Sequence, residues 1–76
     1  MKESIKFDHS ALKGLIREKG FTQADIARLA KIAPSQLCRK LNSLAQFTQM
    51  EIYRISRVLE IEPNLIGKYF FAVKVA

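Results

Sequence analysis

Apolar residues recur along this chain at the spacing of helices rather than strands. Leu12, Leu15 and Ile16 share one face of a first helix, and Ile52, Ile55, Ser56 and Leu59 share one face of a later one. Asp8 or Ser10 can cap the first helix, and Gly20 after Lys19 stops it. Pro34 and Pro63 suit first helical positions, where the fixed φ is helical and the missing N–H is unpaired in any case. The pattern predicts five helices, near 9–19, 23–30, 34–42, 49–59 and 63–68, in a single all-α domain spanning 1–76. The tail 69–76 opens Tyr69-Phe70-Phe71-Ala72-Val73, rich in aromatic and β-branched residues, and reads as extended.

Two of the helix starts are written almost identically. FTQADI begins at Phe21 and FTQMEI at Phe47. In each, the Thr hydroxyl can accept the N–H of the third helical residue, and the acid at that position can reach back to the N–H of the Thr. The Phe before the cap can pack on the Ile at the fourth helical position. Nothing around the two hexamers matches, so they read as one helix-start signal used twice, not as a duplication.

The two hexamers open different structures. After the first, helix two ends near Ala30, a turn of Lys31, Ile32 and Ala33 comes next, and Pro34 opens another helix. Two short helices joined this way cross steeply and need small side chains at the crossing, which Ala27 and Ala30 supply. Ile26, Ile32 and Leu37 are placed to fill the angle. The second hexamer leads into an ordinary amphipathic helix.

Residues 23–43 resemble the helix-turn-helix of lambda-type phage repressors and Cro-type proteins. The resemblance rests on Thr22-Gln23 at the motif start, Ala27 at its fifth position, Ile32 in the turn and Leu37 as anchor of the second helix. The stretch from Phe7-Asp8 to Tyr69-Phe70-Phe71 also looks like small repressor-like proteins of phages from Gram-positive hosts. The family usually has Gly where Lys31 stands, and a left-handed Lys costs on the order of 1 kcal/mol there. Ala33 replaces the usual Ser or Thr cap, and Lys40 a usual apolar residue, so Leu41 is expected to serve as the second anchor.

The resemblance implies a compact five-helix, lambda-repressor-like DNA-binding domain with helix 34–42 in the major groove. It assigns base contacts to Pro34, Ser35, Gln36 and Arg39. Arg39 is foremost, because a guanidinium bonds O6 and N7 of guanine together. Phosphate contacts fall to Thr22, Gln23, Lys40, Asn42, Ser43 and Gln46, with Gln23 and the free N–H groups of helix two aimed at one phosphate. A homodimer, at least on DNA, is implied, because such domains read two half-sites about 34 Å apart.

Charge agrees with this picture but does not require it. The formal net charge is +6 over 76 residues, of which 49% are hydrophobic, so a packed core and a polyanionic partner are both affordable. The lone Cys38 cannot form an internal disulfide or build a metal site, and reads as an ordinary thiol of a reducing compartment. His9 stands alone, with no second metal ligand in sequence reach, and reads as structural or exposed. No signal peptide or membrane span is expected, which suggests the cytoplasm of a bacterial host. No catalytic constellation appears, so neither an enzyme nor any cofactor, metal or small-molecule substrate is expected.

The main reading is therefore a phage or prophage repressor or Cro-like regulator that binds operator DNA, with no room for a second oligomerisation domain. The alternative is a protein-interaction module, anti-repressor or antitoxin-like, that binds another regulator through the helical bundle or the tail. The tail itself has two readings. It covers the core by pairing with Ile5-Lys6-Phe7, or it joins a second copy through an apolar edge.

Overall fold

A computed structural model describes residues 6–73. The described chain forms five α-helices, α1 (Ser10–Glu18), α2 (Gln23–Ala30), α3 (Pro34–Leu41), α4 (Gln49–Leu59) and α5 (Ile66–Phe70), with a 3-10 turn, Pro63–Leu65, leading into α5. Both hexamers act as capping boxes. The hydroxyl of Thr22 accepts the Asp25 N–H and the Asp25 side chain accepts the Thr22 N–H, and Thr48 and Glu51 do the same. α3 starts on Pro34 with no side-chain cap at Ala33. At α1 the cap position falls on His9, whose side chain makes no capping bond. Asp8 lies one residue earlier and accepts from the N–H of Ser10 at 2.9 Å and its hydroxyl at 2.6 Å.

The first four helices end in one backbone hook. In each, two successive N–H groups beyond the helix fold back onto its last carbonyls. Phe21 donates to Ile16 (3.0 Å), Ile32 to Ala27 (2.9 Å), Leu44 to Arg39 (2.8 Å) and Ile61 to Ser56 (2.9 Å). The hook needs a left-handed residue, which favours glycine. Only α1 uses one, Gly20 at φ 85°; the others use Lys31 (60°), Ser43 (66°) and Glu60 (56°). The motif often sets an apolar residue after the left-handed one, packed back on the helix. Phe21, Ile32 and Ile61 pack in this way against the core, whereas Leu44 is 59% exposed.

The core consists of Leu12, Ile16, Ile26, Ala27, Ala30, Ile32, Leu37, Leu41, Ile55, Leu59, Ile61 and Phe70. The alanines at the α2–α3 crossing are closed off completely or nearly so, which is what two backbones in close approach require. Phe70 continues into a stack of edge-to-face rings, Phe70 on Phe47 and Phe47 on His9, with centroids 5.4 and 5.2 Å apart.

The end of the chain differs from expectation. Tyr69 and Phe70 belong to α5, Phe71 is its C-cap, and of the described residues only Ala72 and Val73 lie beyond it. The aromatic run looked like a strand, but burying Phe70 beneath the Phe47 ring needs a last helical turn. Beyond it the tail pairs within the chain. Phe7 and Val73 form an antiparallel bridge, Asp8 donates to the Ala72 carbonyl at 2.6 Å, and Phe7 and Phe71 meet edge-to-face. Ile5 and the tail residues 74–76, part of the same expectation, lie outside the described residues.

Candidate interaction surfaces

Two surfaces can meet a large partner. The first is the outer side of α3. Leu37 and Leu41 are buried, which leaves Pro34, Ser35, Gln36, Cys38 and Arg39 exposed together. Pro34, Ser35, Gln36 and Arg39 are the expected base-reading set, and all four are exposed on α3. A terminal nitrogen of Arg39 leans toward the Leu44 carbonyl at 3.5 Å, a contact weak enough to release.

The residues expected at phosphates are less uniform. Thr22 and Gln23 are exposed at the start of α2, beside a hollow of about 330 Å³ that they share with Lys13, Ile16, Arg17 and Phe21. Gln46 is exposed. Asn42 is exposed but occupied, donating to the Cys38 carbonyl at 2.9 Å and accepting from the Lys13 ammonium at 3.0 Å. The Ser43 hydroxyl donates to the Phe7 carbonyl and so holds the loop after α3 against the N-terminal segment.

Lys40 departs most from its expected role. Its residue is 9% exposed, and its ammonium meets the Glu51 carboxylate at 2.6 Å. It bonds α3 to α4 instead of facing outward. The same carboxylate oxygen accepts the Thr48 N–H at 2.9 Å, so the second hexamer does more than start a helix. Burial is the largest influence on Glu51 and works against its charge. The Lys40 ammonium and the Thr48 N–H together outweigh it and hold the carboxyl below its ordinary value. Asp25, partly exposed, is also held low, chiefly by the Thr22 N–H and hydroxyl and secondarily by Arg28.

His9 is 4% exposed, and its Nδ1 has no hydrogen-bond partner among the described residues. Burial lowers its pKa, against the carbonyls of Phe70 and Lys40 and the carboxylate of Asp8, which favour the charged ring. Among the described residues no group of His, Cys, Asp and Glu side chains could hold a metal ion, and no helix is long and apolar enough to cross a membrane.

The second surface was not singled out by the sequence pattern. α4 buries Ile55, Ser56 and Leu59 on its inner side, and its outer flank leaves Met50 and Tyr53 53% and 55% exposed. The segment from Ile61 to Ile66 turns back alongside it. Between them lies a groove of about 630 Å³, lined by Gln49, Met50, Ile52, Tyr53, Ser56, Arg57, Ile61, Pro63 and Ile66. The Arg57 guanidinium sits over the Tyr53 ring, 5.9 Å from its centroid. The Ser56 hydroxyl, almost wholly buried, has no partner among the described residues, and a hydroxyl left so costs about 1–3 kcal/mol. The spacing of Met50, Tyr53 and Arg57 marks one outer stripe of α4, a signal present in the sequence. The opposite wall exists only once the 61–66 segment folds back.

Known proteins place the chain among relatives. No curated protein matches it. The solved solution structure of the modulator of repression (MOR) of the temperate bacteriophage TP901-1 from Lactococcus lactis superposes with a TM-score of 0.72. The two are 37% identical, and the match covers 93% of this chain and 96% of that one. Residues 5–73 match the family described as "Protein of unknown function (DUF739)". That match takes in the capping boxes, the α2–α3 turn and the α4 groove alike, and the chain belongs to the DUF739 family.

Proposed function

We propose that the chain is a phage or prophage regulator that modulates repression by binding another regulatory protein, the repressor of the same phage being the first partner to test. The observation that carries this reading is the likeness, over nearly the whole of both chains, to a protein called a modulator of repression. The geometry adds support. Three of the residues expected at phosphates, Lys40, Asn42 and Ser43, are engaged within the chain, while an apolar groove lies open on α4. Such a groove suits a protein side chain and does nothing for a phosphate. The chain would act by binding rather than by catalysis, in the cytoplasm of a bacterial host.

A second reading keeps specific observations of its own. Ser35, Gln36 and Arg39 share an exposed helix face on a chain of net charge +6, which is the equipment for sequence-specific, dimeric DNA binding in the manner of lambda-type repressors.

One pair of measurements separates the two. Purified protein is titrated calorimetrically with the purified repressor, and separately with a randomised duplex pool at two salt concentrations. The protein-binding reading expects a stoichiometric repressor complex, together with DNA binding that fades in salt and selects no sequence. Recovery of a partly palindromic site, with no repressor complex, would replace it with the DNA-binding reading.

A further inference from the structure

We infer that the groove between α4 and the 61–66 segment receives an amphipathic helix of the partner protein, about two turns long and carrying a carboxylate. The inference rests on the reading of the chain as a protein-binding regulator and says where and how the partner docks.

The shape sets the occupant's form. From Gln49 to Arg57 the groove follows α4 for about 12 Å, at 1.5 Å per residue. That length takes apolar residues at i, i+3 or i+4, and i+7 of a second helix. The wall along α4 offers side chains, its backbone groups being spent within the helix, so an added strand would find no ladder there. Met50, unbranched and half exposed, adapts to such a surface, and the Tyr53 ring offers a broad apolar contact.

The chemistry sets the occupant's charge. Among the described residues Arg57 is the one charged residue lining the groove and no acid lines it, and the chain carries +6 overall. A carboxylate on the incoming helix pairs with Arg57 at the rim, where Tyr53 already holds the guanidinium.

The test uses the full chain and a displayed library of amphipathic helical peptides. The selected peptides are expected to share the i, i+4, i+7 apolar spacing with an Asp or Glu at one flank. Tyr53→Ala and Met50→Ala, both at exposed side chains and checked for unchanged helical content, are expected to weaken these peptides about tenfold or more. Arg57→Glu should weaken them similarly, and exchanging the peptide acid for Lys should restore binding to that variant. Four outcomes would overturn the inference: no peptide selected, no acid preference, full affinity for Tyr53→Ala, or a dimer of the chain itself that Tyr53→Ala dissolves. If the repressor complex forms and both groove variants keep it intact, the groove assignment fails while the protein-binding reading stands. If no repressor complex forms with the unaltered chain, that reading itself has failed.

Discussion

His9 is the chain's single histidine, and its place beneath the Phe47 ring makes it a reporter of the fold. Burial lowers its pKa in the folded state, so the unfolded chain binds a proton that the folded chain resists. Its contribution is therefore fully present above the unfolded value near 6.5 and is lost as pH falls below it. Urea midpoints should drop between pH 7.5 and pH 5.5, a window where Asp25 and Glu51, both held low, stay charged. His9→Phe should remove that drop, and an unchanged pH dependence would show the source lies elsewhere. A second residue prediction concerns the left-handed Lys31. Its exposed side chain leaves the backbone strain uncompensated, so Lys31→Gly should stabilise the fold by about 1 kcal/mol in denaturant titration.

Between elements, the Lys40–Glu51 pair ties α3 to α4, with its side chains 11% and 15% exposed. Lys40→Ala should cost about 3 kcal/mol, because it leaves a largely buried carboxylate without its cation. Lys40→Met together with Glu51→Gln keeps the volume and the capping bond, and should recover most of that loss. Equal destabilisation of the single and double variants in urea would show that packing, not charge, is at stake. Lys40 also shows where sequence reading stops. A lysine beside Arg39 looks solvated, and nothing local reveals that Glu51 will come to face it. The starts of α2 and α4 were legible because Thr and the acid three residues later interact within one turn. The end of α1 was legible from Gly20, whereas Ser43 and Glu60 make the same hook without announcing it. The last helix was legible but its end was placed two residues early, because Tyr69 and Phe70 have strand propensity and the Phe47 ring against which Phe70 packs lies more than twenty residues earlier. The exposed face of α3 was legible from the positions of Leu37 and Leu41. The groove was not, because one of its walls is made by a returning segment.

At the scale of the molecule, the two surfaces make opposite demands on one substitution. Arg39 is exposed on α3 and is no part of the groove. If the repressor docks on α4, Arg39→Ala should leave its affinity within about twofold of wild type. If the chain reads an operator, the same change should cost about 1–3 kcal/mol on the preferred site and relax one base position. Calorimetry with each ligand decides between them, and loss of repressor affinity would move the protein contact to α3.

The bridge between Phe7 and Val73 joins nearly the two ends of the described chain, and that has a kinetic meaning. Closing a loop of about 65 residues costs about 4 kcal/mol of chain entropy when nothing else has formed. The helices and their hooks are local, so they and the contacts between neighbouring helices can assemble first and bring the ends close. The bridge then forms last in folding and opens first in the native state. Amide exchange should show this order, with the Asp8 N–H, bonded to the Ala72 carbonyl, exchanging well ahead of amides in α4. Each such opening also frees the segment that leads into His9, so the buried ring is expected to meet solvent protons through opening of this bridge, without unfolding of the bundle.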